Sequence, residues 1–259
     1  MQERKGSQNE KTDFDFRGDI FYASKRPPRI AFCPVSHIEK RGRMKQQFVF
    51  FDLDGTLTES GPGIIKSVRH ALARFGIDEP NDTALRRFIG PPLAYSFITF
   101  YGFSEEDALR AMAVYREHYA AHGIFDNGVY AGIPELLAAL QTAGKTLCVA
   151  TGKPETFMFR ILERYGLRNY FSFCGGSDEA KTRAEKATVI RYVMDNVGAR
   201  ADEVVMVGDR HHDINGAKAN GVRSVGVLYG YGDRAELEMA GADYIAESVV
   251  SLYPLLLGA

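Results

Sequence analysis

Short apolar runs followed by polar residues recur along this chain. The first run, Phe-Val-Phe-Phe at 48–51, is followed by Asp52, Asp54 and Gly55. An apolar run of this length indicates a strand buried on both faces of a sheet, and such sheets carry their chemistry at the strand ends. Alternate strand residues point to one side, so Asp52 and Asp54 are predicted to start together before a sharp turn at Gly55. Taken alone, Asp-x-Asp-Gly is as typical of a calcium-type or ordinary turn as of a pair of catalytic carboxylates.

A regular alternation of helix and strand follows residue 128. The apolar periodicity predicts helices at 133–143, 155–165, 184–196, 212–220 and 235–239, and strands at 146–150, 171–174, 203–207, 224–227 and 243–245. Glycines follow four of the predicted helix ends, as helix C-caps do. These units predict an α/β fold, a doubly wound parallel sheet with a Rossmann-like core. Its carboxyl-terminal edge is expected to gather distant polar residues, namely Asp52, Asp54, Thr151 and Asp209.

Helical patterns replace strand patterns between residues 61 and 128. The spacing of apolar residues predicts helices at 64–75, 81–88, 93–101 and 104–122. Because this segment is inserted directly after the Asp52 loop, we expect it to form an α-helical cap domain that shields the cleft from water. The predicted organisation is therefore a core formed by 45–60 and 129–259, and a cap formed by 61–128.

The first 43 residues differ from the rest in charge and in pattern. They hold ten Lys and Arg against six Asp and Glu, whereas the remainder holds 22 and 27. They show no sustained helical or strand period, so residues 1–44 are predicted to be a disordered extension. Two explanations stay open, a native start at Met44 with a mis-assigned upstream segment, or a basic targeting or docking tail.

The overall composition is that of a globular enzyme. The chain has 259 residues, 45% hydrophobic and 25% charged, with a formal net charge of −1. This charge gives no reason to expect a nucleic acid polymer or a membrane surface as a partner. The three cysteines, Cys33, Cys148 and Cys174, have neither metal-ligand spacing nor a disulfide pattern, which suits a reducing cytoplasm. We therefore expect a cytoplasmic monomer or homodimer.

Three further segments carry candidate chemistry. Thr151, Gly152 and Lys153 follow one predicted strand, and Asp209 and Asp213 follow another. Lys186 falls near the start of a predicted helix. A lysine there opposes the helix dipole and is slightly unfavourable, unless an anion is bound beside it.

With these segments in this order, the chain resembles the haloacid dehalogenase-like hydrolases. The similar branch is that of the helical-capped phosphatases, close to phosphoglycolate phosphatases and 5′-nucleotidase-like members. The resemblance covers about residues 46–257 and is carried by Asp52-Leu-Asp-Gly-Thr56, Thr151-Gly152, Lys186 and Gly208-Asp-Arg-His-His-Asp213. Asp54 marks the phosphatase form, since the related ion pumps have threonine there and the dehalogenases lack this aspartate.

The resemblance implies a Mg²⁺-dependent phosphomonoesterase that works through an aspartyl-phosphate intermediate. Its substrate would be a small phosphorylated metabolite, 2-phosphoglycolate or a nucleoside 5′-monophosphate. It implies Asp52 as nucleophile and Asp54 as acid and base. The implied metal ligands are Asp52, the backbone carbonyl of Asp54, and Asp209, with Asp213 steadying Asp209 and a metal-bound water. The implied phosphate-binding groups are Thr151, Gly152 and Lys186.

Several assignments have structural alternatives. Asp213 is also suited to cap the helix that follows it. Lys153, expected at the cleft mouth, competes with Lys186 as the charge-balancing lysine, and we favour Lys186. The adjacent histidines His211 and His212 are not expected to bind metal, because neighbours on a first helical turn face different directions. Candidate leaving-group contacts in the cap are Arg86, Arg87, Tyr95 and His118, although for each we favour a role at the surface or in packing.

Two other kinds of function remain open at this point. A phosphomutase of the β-phosphoglucomutase type would use the same Asp52 and Asp54, and a sugar-phosphate phosphatase would differ in cap contacts. A regulatory module on an inactive core is disfavoured, because the acidic and basic residues of the pattern are all present.

Overall fold

A computed structural model describes residues 45–178, 183 and 185–258. The predictions of a disordered extension over 1–44 and of a start at Met44 lie outside these residues. The described strands are β1 (Phe48–Phe51), β2 (Thr58–Glu59), β3 (Gly128–Val129), β4 (Thr146–Pro154), β5 (Phe173–Ser177), β6 (Val204–Gly208), β7 (Arg223–Val227) and β8 (Tyr244–Ala246).

Ten α-helices are described in the same part of the chain. They are α1 (Gly61–Ala73), α2 (Asp82–Arg86), α3 (Leu93–Tyr101), α4 (Glu105–Ala121), α5 (Ile133–Thr142), α6 (Glu155–Arg164), α7 (Lys186–Val197), α8 (His211–Ala219), α9 (Arg234–Ala240) and α10 (Val249–Leu257). No helix among the described residues has both the length and the apolar character to cross a membrane.

The main sheet is parallel, with the order β5-β4-β1-β6-β7-β8. The strand β1 lies at its centre, where Phe50 is in register with Cys148 on one side and Met206 on the other. The chain places successive strands on opposite sides of β1, so the carboxyl end of β1 is the switch point of the sheet. Asp52 and Asp54 follow directly from that position.

Apolar residues cover both faces of the sheet. Phe51 belongs to one buried cluster and Phe50 to another, because adjacent residues of a strand point to opposite faces. The cluster around Phe50 includes Val189, Ile190 and Val193 of α7. These two layers confirm the predicted doubly wound α/β fold.

The helices α1 to α4 occupy the predicted insertion. Ser104 caps α4, since its side chain accepts a hydrogen bond from the amide of Asp107, and α3 has the predicted bounds. The helix α1 begins three residues before the predicted start, with proline in its first turn. The short strands β2 and β3 pair antiparallel on either side of the insertion. These two strands were not predicted, because two residues are too few to produce a periodic signal. The segment 61–128 remains our proposed cap.

Other differences from the predicted elements lie at helix and strand ends and at the end of the chain. The helix predicted at 81–88 is shorter, Asp82–Arg86, with Asn81 as its N-cap. The strand β4 continues to Pro154, because Pro154 pairs with Ser177 of β5 after a shift in register. Thr151 and Gly152 therefore lie within a strand rather than after it. The helix α10 was not predicted; it contains Pro254 and contributes the buried Leu252 and Leu256.

Candidate active site

Three buried aspartates meet at the carboxyl edge of the sheet. Asp52 follows β1, Asp209 follows β6 and Asp213 lies in the first turn of α8. One carboxylate oxygen of each lies within 4.8 Å of the others. Burial raises the pKa of Asp52 to about 6, with Asp213 adding to the rise and Lys186 opposing it. Burial and the two neighbouring carboxylates also raise the pKa of Asp209.

Lys186 supplies the positive charge that contacts Asp52 and Asp213. It is the first residue of α7, and its Nζ lies 2.8 Å from Asp52 Oδ1 and 2.8 Å from Asp213 Oδ1. It also donates a hydrogen bond to the carbonyl of Ala150, at 3.2 Å. Burial disfavours the ammonium, but Asp213 and Asp52 outweigh it and raise the pKa of Lys186. A negative charge was expected beside Lys186 at the start of α7, and the carboxylates of Asp52 and Asp213 provide part of it.

Asp213 makes a capping contact and a second contact that was not predicted. Its Oδ2 accepts the backbone amide of Arg210, at 3.1 Å, which caps the first turn of α8. Its Oδ1 faces Lys186. Asp213 therefore caps α8 from within its first turn, and its role beside a metal-bound water stays a proposal.

Asp209 is held by groups from two loops. Its Oδ2 accepts the amide of Tyr231 at 2.8 Å, and its Oδ1 accepts the hydroxyl of Thr56 at 3.3 Å. Gly55 passes close by with a φ of +82°, and a Cβ there would stand 2.2 Å from Asp209 Oδ2. The turn after the first aspartates therefore requires glycine for its conformation and for space.

Asp54 is paired with the second lysine. Lys153 Nζ lies 3.0 Å from Asp54 Oδ1 and 2.8 Å from Asp54 Oδ2. We expected Lys153 at the cleft mouth, and this is wrong: its side chain is only 5% exposed, because it is covered by the cap residue Tyr119. The two lysines do not compete, since Lys186 contacts Asp52 and Lys153 contacts Asp54.

The proposed phosphate-binding residues line the same edge. The Thr151 hydroxyl is buried, hydrogen-bonds to Asp52 and accepts the amide of Lys153 at 3.3 Å. Gly152 is exposed, with open space where a side chain would be. An incoming phosphoryl group therefore has access to the Gly152 backbone.

A cavity of about 270 Å³ lies between this edge and the cap helices. Asp52, Asp54, Thr151, Gly152, Lys153 and Lys186 line its core side. The cap side is largely apolar and aromatic, and its lining residues include Phe88, Pro91, Leu93, Met112, Tyr115, Arg116 and Tyr119. The arrangement places carboxylates and ammonium groups at one end and an apolar wall at the other.

The leaving-group contacts proposed from the sequence do not line this cavity. Arg87 stacks on the ring of Phe100, 4.0 Å from its centroid, and Tyr95 is 56% exposed. His118 stacks on His70 between α1 and α4, and Arg86 is exposed. The cavity-lining residues of α4 were missed, although 112, 115, 116 and 119 share one face at helical spacing, which was a usable signal.

The argument against a histidine pair was partly wrong. The rings of His211 and His212 lie 3.9 Å apart, so they do not face different directions. His211 Nδ1 contacts Glu236 Oε1 at 2.7 Å, and His212 lines the cavity. Among the described residues, the group suited to hold a metal ion contains three aspartates and neither histidine.

Comparisons with known proteins agree with this geometry. A family model described as haloacid dehalogenase-like hydrolase matches residues 49–227. A 5′-nucleotidase of Pseudomonas aeruginosa is 43% identical over 208 residues, covering 80% of this chain and 94% of that protein. Tyrosine-protein kinase PtkA of Mycobacterium tuberculosis is 40% identical over 186 residues, covering 72% of this chain and 63% of that protein. The crystal structure of a predicted phosphatase from Clostridium acetobutylicum superposes with a TM-score of 0.80 at 43% identity, covering 83% of this chain and 99% of that one.

Proposed function

The chain belongs to the haloacid dehalogenase-like hydrolases, and we propose that it is a Mg²⁺-dependent phosphomonoesterase acting through an aspartyl-phosphate. The observation that carries this proposal is the contact between Asp52 and Lys186 on the floor of a cavity covered by helices. A carboxylate in that position can attack phosphorus, and the ammonium beside it offsets the repulsion between two anions. Phosphatases among the similar proteins support the same assignment.

The aspartates fit a divalent cation. Three buried carboxylates lie together, and the ammonium of Lys186 contacts two of them. An all-oxygen donor set suits Mg²⁺, which takes few protein carboxylates and keeps several waters. Asp52 and Asp209 would hold the ion, with the Asp54 backbone carbonyl as a third proposed ligand and Asp213 beside it. Bound Mg²⁺ would supply positive charge to the phosphoryl oxygens and the nucleophile.

The protein groups divide the remaining chemistry between them. The Thr151 hydroxyl and the Gly152 amide hold phosphoryl oxygens, while Lys186 neutralises charge next to Asp52. Asp52 forms a bond to phosphorus as the bond to the leaving oxygen breaks. Asp54 gives a proton to that oxygen, and then takes a proton from the water that hydrolyses the aspartyl-phosphate.

The cavity wall favours a nucleoside 5′-monophosphate over 2-phosphoglycolate. 2-Phosphoglycolate would bring its own carboxylate close to the phosphoryl group, where both lysines are already paired with Asp52, Asp213 and Asp54, so that its carboxylate would depend on Arg116 of the cap side. A nucleoside would instead place a planar ring against Tyr115, Phe88 and neighbouring apolar groups. The similarity to a 5′-nucleotidase supports this choice.

A phosphate-release assay with Mg²⁺ tests the proposal. The panel contains nucleoside 5′-monophosphates, 2-phosphoglycolate and small sugar phosphates, and we expect the highest kcat/KM among the nucleotides. Turnover that requires a bisphosphate activator would point to a phosphomutase. Phosphate transfer to tyrosine without net release would point to a transferase, and inactivity on the whole panel would contradict the proposed function.

A further inference from the structure

The ion pair between Lys153 and Asp54 is not explained by the steps above. Asp54 has to move protons at the leaving oxygen, yet both of its carboxylate oxygens contact one ammonium, at 3.0 and 2.8 Å. The Asp54 side chain is 18% exposed and that of Lys153 is 5% exposed. Two contacts from one buried donor restrict the rotation of the carboxylate, so Lys153 sets the direction in which Asp54 points.

Lys153 is itself held by the cap. Its Nζ lies 4.7 Å from the centroid of the Tyr119 ring, at the distance of a cation–π contact. Tyr119 belongs to α4 and is only 1% exposed. Its ring stacks on that of Tyr115, with the centroids 5.5 Å apart, and packs edge-on against the ring of Phe157 of α6, with the centroids 5.2 Å apart. The ammonium therefore lies between a core carboxylate and a fixed aromatic face of the cap.

We propose that Lys153 is the positioning residue of Asp54, and that Tyr119 links this positioning to the cap. Asp54 is aligned on the leaving oxygen while α4 packs over Lys153, and loses that alignment when α4 moves away. This inference rests on the proposed function, because it assigns Asp54 as the acid. Lys153 acts through Asp54 and does not touch the reacting atoms.

A pair of esters with matched shapes tests this role. Benzyl phosphate releases an alkoxide that needs a proton, whereas 4-nitrophenyl phosphate releases a stable phenolate that does not. In a two-step reaction, kcat/KM covers the steps up to departure of the leaving group, so it isolates the first use of Asp54. A purely structural defect would lower kcat/KM for both esters by the same factor.

The variants are Lys153→Met, which keeps length and loses charge, and Lys153→Arg, which keeps a donor for both oxygens. We expect Lys153→Met to lower kcat/KM for benzyl phosphate by roughly 100-fold, a typical loss for a general acid, and for 4-nitrophenyl phosphate by less than about tenfold. Lys153→Arg should recover part of the loss on benzyl phosphate. Lys145→Met is the matched control, since Lys145 binds the Gln46 carbonyl away from the cavity.

Tyr119 is tested with the same two esters. We expect Tyr119→Phe, which keeps the aromatic face, to retain a higher kcat/KM on benzyl phosphate than Tyr119→Leu. Tyr119→Leu should reproduce the selective loss on benzyl phosphate, with thermal melting confirming that both variants fold. Equal losses on both esters in Lys153→Met, or no loss on either, would overturn the inference while leaving the proposed function intact. A wild-type protein inactive on both esters and on the metabolite panel would overturn the two together.

Discussion

Lys186 Nζ lies 2.8 Å from Asp52 Oδ1, although the two residues come from core segments on either side of the insertion 61–128. The side chain of Lys186 is 8% exposed and that of Asp52 is 11% exposed, so water screens their attraction poorly. A phosphoryl dianion approaching Asp52 would meet the ammonium as well as the carboxylate. This contact supports our proposal that Asp52 is the nucleophile; Asp213 contacts the same ammonium at 2.8 Å, but its side chain is only 1% exposed.

The first prediction concerns Asp52. Asp52→Asn should lower kcat by at least about 10³-fold, because loss of a covalent nucleophile costs several kcal/mol of barrier and each ~1.4 kcal/mol is tenfold. Mass spectrometry after rapid acid quench should find phosphate on Asp52 of the wild type and none on the variant. Asp195→Asn, at an exposed position of α7, is the control. Activity within about tenfold of the wild type would remove Asp52 as nucleophile.

A second prediction concerns the metal. Activity should need a divalent cation, with Mg²⁺ best and Ca²⁺ inhibitory, because Ca²⁺ prefers more ligands and would engage both oxygens of Asp52. Asp209→Asn should raise the Mg²⁺ concentration needed for half-maximal activity, or abolish activity. His211→Ala and His212→Ala should leave that concentration unchanged, which a Mg²⁺ titration of each variant measures. Full activity in excess chelator would contradict the assignment.

Substrate choice should depend on Arg116 rather than on the arginines first suggested by the sequence. Both arginines are exposed, but Arg116 lines the cavity from α4 and Arg86 lies outside it. Arg116→Ala should change the ratio of kcat/KM between two nucleotides or between a nucleotide and a sugar phosphate by about tenfold, or ~1.4 kcal/mol. Arg86→Ala is the matched control and should leave the ratio unchanged. The same result from both variants would place specificity elsewhere.

Gly55 should tolerate substitution less than a glycine of similar conformation. Gly55 has a φ of +82° and Gly144 a φ of +79°, so alanine strains the backbone at both. That strain alone costs about 1 to 2 kcal/mol. A Cβ at Gly55 collides with Asp209 Oδ2, whereas nothing lies within 4 Å of one at Gly144. Gly55→Ala should therefore also weaken the activation by Mg²⁺, measured by metal titration, and Gly144→Ala should affect only the free energy of unfolding.

The two described cysteines should be unreactive in the folded protein. Burial raises the pKa of the Cys148 thiol to about 12 and that of Cys174 to about 11. The folded protein therefore keeps both thiol protons at a pH where the unfolded chain, above about pH 8.5, loses them. Because the unfolded state alone gains from this ionisation, the free energy of unfolding falls as pH rises from about 8.5 toward the folded pKa values. Iodoacetamide at pH 8 followed by peptide mapping should label Cys148 and Cys174 only after guanidinium is added. Labelling of the folded protein as fast as that of an exposed thiol would contradict this burial.

The sequence alone determined the class of fold and the identity of the main acidic and basic residues. The apolar run 48–51, the two aspartates after it and Lys186 at a helix start are local patterns, set by residues a few positions apart. Strand alternation, helix period and capping depend on such neighbours, so they are readable without coordinates. The doubly wound parallel sheet followed from the same regularity, whereas the strand order was read from the structure.

Only the tertiary structure decided which side chains meet inside the cavity. Lys153 and Asp54 are 99 positions apart, and no local pattern distinguishes a lysine aimed at Asp54 from one aimed at water. Local patterns also do not show that Arg116 and Tyr119 of α4 line the cavity, or that the rings of His211 and His212 lie against each other. These contacts depend on how the helices pack against the sheet edge, because packing geometry arises from the whole set of buried residues rather than from any one segment.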